Sequence, residues 1–301
     1  MFENYVDYER LLARIQLVLF MLGMGATLEM SDFGRILRRP AVLIYGLSYH
    51  FIVPPILAVL IGWLLGLEPG IAIGLILVSL LPGGVVSKVF SLLGHGNVAL
   101  NITLTFFTSF AALFTVPALL RLLAMDYVPA DFHVPLSDVV PDVSIFMLLP
   151  LTAGMFWSHR SPANRMKVAR ICCGFGWFFV ILMVIGSLGS GRIHPATYGW
   201  LAPFAIILFC VLAQQISMVP CYYFAWPRAD RLAIGIELTM RNMNLALLLN
   251  VLLFPANRGL DDIADGSLFV ILFYAAVAMG AGLPLALNHL RLARREAATV
   301  P

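Results

Sequence analysis

Residues 70–94 read GIAIGLILVSLLPGGVVSKVFSLLG. A helix rises 1.5 Å per residue, so about 20 apolar residues cross the hydrocarbon core of a bilayer. This run is long enough, but it is interrupted. Pro82 removes a backbone donor, and Gly83 and Gly84 weaken the helix further. Lys88 follows six residues after Pro82, deep inside the run. Broken backbone at bilayer depth is tolerated only where it lines a cavity or binds something, and an ionisable residue there is a functional candidate by default. The stretch predicts a broken transmembrane helix with a site at its centre.

The rest of the chain supplies the membrane context. Of 301 residues, 61% are hydrophobic and 12% charged, with a formal net charge of +3. The mean hydropathy is +0.93. A soluble domain carries about twice that charge fraction, and the scattered basic residues do not suit nucleic acid. Apolar runs recur from end to end, so the chain reads as one all-α integral membrane domain over 1–301. Nine spans are expected, at about 11–30, 41–66, 70–94, 97–124, 139–157, 171–190, 199–226, 231–254 and 266–290. The N-terminal segment is mixed in charge and lacks a small-residue cleavage pattern, so no signal peptide is expected. Cys172, Cys173, Cys210 and Cys221 lie in apolar segments without metal-type spacing and read as small buried hydrophobes.

Basic residues set the orientation. Arg35, Arg38 and Arg39 follow the first span; Arg160, Arg165, Lys167 and Arg170 the fifth; Arg228 and Arg231 the seventh; Arg291, Arg294 and Arg295 the ninth. Nine spans put all four clusters on one side and Asp126, Asp131, Asp138, Asp261, Asp262 and Asp265 on the other. The N-terminus is expected outside and the C-terminus in the cytoplasm of a plasma (bacterial inner) membrane.

Three short matches recur at nearly one offset: Ala72-Ile73-Gly74 with Ala233-Ile234-Gly235, Val53-Pro54 with Val219-Pro220, and Pro117 with Pro284, about 161 to 167 residues apart. Five spans separate each pair, so the copies are inverted, a transporter device. Repeat one covers about 11–124 and repeat two about 139–290. The partner of the first broken helix lies in the eighth span, IGIELTMRNMNLALLL, residues 234–249. Glu237, Thr239, Arg241, Asn242 and Asn244 crowd its middle, which predicts an unwound stretch without Pro or Gly. The plainer readings are that Lys88 snorkels to an interface, that Glu237 and Arg241 form an i,i+4 ion pair in a continuous helix, and that His50 is a satisfied core histidine. His95, His133, His159, His194 and His289 sit in loops or at span ends. The glycines at 62, 66, 70 and 74 flank a turn, and no H-E-x-x-H, serine triad, phosphate loop or dinucleotide fingerprint occurs.

Leu81-Pro82-Gly83-Gly84-Val85-Val86-Ser87-Lys88, followed by Gly96-Asn97-Val98-Ala99-Leu100-Asn101 and Thr105, resembles the bile acid:sodium symporter family. So do Gly23-Met24-Gly25 with Leu28, Ser31-Asp32-Phe33 and Pro40, and Glu237-Leu238-Thr239-Met240-Arg241-Asn242. The resemblance runs from about residue 16 to 290. It implies a panel domain, a core domain (helices about 41–124 and 199–290), two broken helices that cross, and alternating access by movement of one domain against the other.

The departures are informative. After Pro-Gly-Gly the family pattern ends in Ser-Asn, which helps bind one sodium ion; here it is Ser87-Lys88. The second broken helix has Glu-x-x-x-Gln-Asn, whose Glu serves both sodium sites; here Arg241 replaces the Gln. A further Gln aligns with His50, and Asn101 stands where the family often has Ser, while Thr105 matches. Two sodium ions and one carboxylate sum to +1, as do Lys88, Arg241 and Glu237. The expectation is that Lys88 and Arg241 are tethered cations in place of sodium, with Glu237 as charge partner and Ser87, Asn101, Thr105, Thr239 and His50 lining the site. Arg241 and Asn242 are the expected substrate contacts, since a guanidinium grips a carboxylate bidentately and half-helix N-termini favour anions.

The implied protein is a secondary transporter of a small organic anion, not an enzyme, with no cofactor or metal and with sodium not required. Its partners are the cargo and the lipid bilayer; nucleic acid is excluded. Sodium-coupled organic anion or bile acid symport is the nearest rival, and proton coupling through Lys88, Glu237 or His50 is physically open. A membrane receptor or sensor that binds without translocating is an alternative of another class. So is a membrane enzyme with Glu237 and His50 as acid and base, although no nucleophile accompanies them.

Overall fold

The computed structural model describes residues 5–29, 34, 40–129, 135–190, 195–255 and 259–299. Ser31-Asp32-Phe33, Arg35, Arg38, Arg39, Asp131, His133 and His194 lie outside them, as do the side chains of Arg294 and Arg295. The described residues are almost wholly helical: α1 (Tyr5–Ala26), α2 (Pro40–Leu65), α3 (Pro69–Leu80), α4 (Val85–Leu93), α5 (Val98–Leu123), α6 (Leu136–Val143), α7 (Leu149–Arg160), α8 (Arg165–Gly189), α9 (Leu201–Tyr223), α10 (Arg228–Thr239), α11 (Met243–Leu253) and α12 (Asp261–Thr299).

Local chemistry marks the boundaries. Proline opens α2 and α3, where its missing N–H costs nothing. Asn97 caps α5 and Asn242 caps α11, each accepting from the amide three residues on at 3.1 Å. A π-helical segment, Ser144–Leu148, joins α6 to α7. The α8 helix begins at Arg165, so Arg165, Lys167 and Arg170 belong to its first turns rather than to the preceding loop.

Among the described residues, six stretches are long and apolar enough to cross a membrane: Pro40–Leu65, Val98–Leu123, Ser137–Arg160, Pro162–Gly189, Leu201–Tyr223 and Asp261–Leu292. Burial separates lipid-facing from internal helices. Only 22% of the apolar window of α8 is buried, and Phe175, Phe178, Ile181 and Ile185 point outward. From Gly70 to Leu80 every residue of α3 is buried, as an interior helix that is apolar all round must be. Packing falls into two groups. The α1 helix lies mainly on α7 and α8, and α2–α5 pack among themselves and with α9, α10 and α12; α11 contacts both α1 and α12. Arg14 pins α1 to α6 through Asp142, at 2.7 and 2.8 Å from Nη2 and 3.0 Å from Nε.

Candidate site at two paired helix breaks

The expected third span is two helices. Leu81–Gly84 separates α3 from α4, because Pro82 has no amide to give and Gly84 is extended (φ −100°, ψ 173°). The expected eighth span is also two. After Thr239 the chain leaves the helix, and it resumes at Met243 behind the Asn242 cap. Each half, at 9 to 12 residues, is too short to cross a bilayer alone.

The two breaks meet. Gly83 and Arg241 form an antiparallel bridge. The Gly84 amide donates to Met240 O at 2.7 Å and the Asn242 amide to Pro82 O at 2.8 Å. Groups freed by one break thus satisfy those freed by the other, as buried backbone requires. A Cβ on Gly83 would overlap the Glu237 carboxylate, and one on Gly84 would lie 2.8 Å from Arg241 O. Glycine is needed here for close approach, not for a positive φ.

Glu237, 2% exposed, sits behind this junction. Its carboxylate accepts from Ser87 Oγ at 2.7 Å and Thr105 Oγ1 at 2.6 Å. Asn101 Oδ1 lies 3.1 Å from Ser87 Oγ, and its Nδ2 donates to Ser91 Oγ at 3.2 Å. Helices α4, α5 and α10 therefore bring Ser87, Asn101, Thr105 and Glu237 into one buried cluster of oxygens.

Both cations are buried beside it, and neither forms an ion pair with Glu237. Lys88, 7% exposed, has no hydrogen-bond partner for Nζ among the described residues; its charge interacts with Glu237 and with Cys173 of α8. Arg241, 4% exposed, uses Nη1 toward His50 Nδ1 at 2.6 Å and Leu81 O at 3.1 Å. Its Nε and Nη2 have no hydrogen-bond partner among the described residues. The i,i+4 pairing of Glu237 with Arg241 does not form, because the helix ends between them.

Two expected side chains are engaged locally. Thr239 turns its hydroxyl back to Gly235 O at 2.6 Å; its own carbonyl receives the Tyr274 hydroxyl at 2.8 Å. Asn242 caps α11, with Nδ2 3.9 Å from Met21 Sδ. Tyr274, Tyr49 and Ser91 also belong to the surroundings. Tyr274 is visible in the sequence as a hydroxyl inside an apolar run; Ser91 carries no signal, because its place depends on Asn101. A cavity of about 100 Å³ adjoins the junction, walled by Phe20, Trp177, Met240, Arg241, Met243 and Asn244 among others. The first turns of α4 and α11 both border it.

The family model described as the Sodium Bile acid symporter family matches residues 14–194. An uncharacterized sodium-dependent transporter of Bacillus subtilis, YocS, is 26% identical over 231 residues, 77% of this chain and 71% of the relative. A probable sodium/metabolite cotransporter of Arabidopsis thaliana, BASS1, is 36% identical over 172 residues, 54% of this chain and 42% of the relative. The sodium-dependent organic anion transporter of Rattus norvegicus is 22% identical over 280 residues, 88% of this chain and 74% of the relative. The chain thus spans less than half of the plant relative and about three quarters of the other two.

Proposed function

The chain belongs to the sodium bile acid symporter family, a family of membrane transporters rather than enzymes, and from that premise we propose that it is a secondary transporter of a small organic anion that works without sodium. The observation that carries the reading is the burial of Lys88 and Arg241 within electrostatic reach of the buried Glu237. Two fixed positive charges beside one carboxylate leave a net +1. Adding sodium to that set would bring like charges together in a low-dielectric site. The surplus charge and the first turns of α4 and α11 at the cavity favour an anion. The unpartnered Nε and Nη2 form one edge of the Arg241 guanidinium, the arrangement a carboxylate takes bidentately. Asn242, which caps the helix that follows, is read as the second cargo contact.

In this reading the chain crosses a bacterial inner membrane nine times, N-terminus outside, as two inverted repeats. Helices α1 and α6–α8 form the panel; α2–α5 and α9–α12 form the core that carries the paired breaks. Alternating access moves one against the other, and Lys88, next to Cys173 of α8, lies between them.

Sodium-coupled transport is the second reading. The oxygen cluster of Ser87, Asn101, Thr105 and Glu237 favours it, as do the sodium-dependent relatives. The melting temperature of detergent-purified protein in NaCl, KCl and choline chloride at equal ionic strength separates the two, because an ion bound only by the folded state stabilises it by mass action. Equal values support built-in cations. A rise specific to sodium overturns the sodium-free reading.

A further inference from the structure

His50 occupies an unusual place for a buried histidine. It is 1% exposed on α2, and its Nδ1 lies 2.6 Å from Arg241 Nη1. A guanidinium offers donors only, so Nδ1 must accept, and the ring proton must sit on Nε2. Protonation of the ring adds a hydrogen at Nδ1, where the arginine donor already points. The imidazolium and the Arg241 contact therefore exclude one another. Nη1 also donates to Leu81 O at 3.1 Å, and the Tyr274 hydroxyl stands beside the guanidinium. Loss of His50 leaves Nη1 anchored by a backbone carbonyl inside the first break.

We propose that His50 is the positioning residue for Arg241: the neutral ring aims the guanidinium so that its Nε–Nη2 edge meets the cargo anion, and protonating the ring releases the arginine. The proposal rests on the reading of Arg241 as the anion's partner and adds acid sensitivity to it. Glu237 of α10, Tyr49 of α2 and Tyr274 of α12 face Arg241, and Cys210 of α9 lies beside it. The α3 side supplies the Leu81 carbonyl, and α5 sends no titratable side chain to the ring among the described residues. Arg241 is thus the charged group in direct contact with His50.

The test compares the pH profile of the melting temperature for wild type, His50→Gln and His50→Ala between about pH 7.5 and 5.5, the range that brackets an ordinary imidazole. A glutamine carbonyl can accept from Nη1 and does not titrate. Wild type should lose several degrees more than His50→Gln as pH falls, and His50→Ala should melt lowest at pH 7.5. The same comparison in an Arg241→Gln background guards against a merely structural role, because there only the burial of the ring separates the profiles with and without the His50→Gln substitution, and the gap between them should shrink clearly. Parallel profiles for wild type and His50→Gln, or a profile difference that is undiminished in the Arg241→Gln background, overturn the proposal. A sodium-specific rise in the wild-type melting temperature would instead sink the sodium-free reading and leave the His50 result interpretable by itself.

Discussion

The amide of Gly84 donates to the carbonyl of Met240 at 2.7 Å, joining two helix breaks that are far apart in sequence. With the reciprocal bond from Asn242 to Pro82 O at 2.8 Å, it makes a two-rung sheet fragment inside a helical protein. Around that fragment the described residues place a carboxylate behind it, two cations beside it and a cavity bordered by the half-helices that leave it.

Glycine requirements should be sharply local. Gly83→Ala places a methyl group on the Glu237 carboxylate and should abolish transport, with a large loss of melting temperature. Gly84→Ala meets Arg241 O at 2.8 Å and should be impaired less. Gly174→Ala, on lipid-facing α8 with nothing within 4 Å of the new Cβ, should be neutral or slightly stabilising, since alanine favours helix by about 1 kcal/mol over glycine. Thermal melting of the three variants gives the order; equal effects at 83 and 174 would contradict the geometry.

Exchanging both cations for neutral amides should create sodium dependence. Lys88→Asn with Arg241→Gln leaves Glu237, Ser87, Thr105 and Asn101 without a fixed counter-charge, and sodium should then stabilise the protein. A dissociation constant of about 1 mM read at 100 mM sodium corresponds to roughly 2.7 kcal/mol. A double variant whose melting temperature is the same in NaCl and KCl counts against the tethered-cation reading. Arg241→Lys should not substitute for arginine, because an ammonium on a flexible stem cannot hold His50 Nδ1 and Leu81 O while presenting a second edge.

Asp142 should matter to stability rather than to cargo. It is held by the fork of Arg14, with side chains 9% and 28% exposed, and it ties α1 to α6. Asp142→Ala leaves a half-buried guanidinium without its partner and should cost about 1.5–3 kcal/mol. The cargo KM should stay unchanged; a KM shift of about tenfold without loss of stability would move this pair into the transport cycle.

Tyr198, in the connection before α9, gives an alkaline signature. Burial, and then the nearby carboxylates of Asp265, Glu68 and Asp262, hold its phenol up at about 12 against an ordinary value of 10. Its folded value is raised, so the unfolded chain releases the proton first. The phenol contributes no pH dependence below about pH 10 and destabilises the fold as pH climbs toward 12. Tyr198→Phe should lessen the loss of melting temperature in that window and leave it unchanged at neutral pH.

Much of this is legible in the residues. Hydropathy and the Pro82-Gly83-Gly84 break announce a membrane helix that does not run through, and the crowding of Glu237, Arg241 and Asn242 announces its counterpart. Those signals are local: a missing amide, a helix-weakening pair of glycines and polar groups too costly for lipid are properties of a short window. That Glu237, Lys88 and Arg241 belong to one site is an expectation carried by the family resemblance, which aligns both cations with sodium-site positions, rather than by the residues alone. Tertiary structure alone decided which atoms face which. Arg241 turns to His50 and Leu81 rather than to Glu237, Thr239 bonds its own helix, and Ser91 and Tyr274 join the site from positions with no motif. Partner choice at a helix break depends on where three or four other helices place their carbonyls, and that distance is set by packing across the whole bundle.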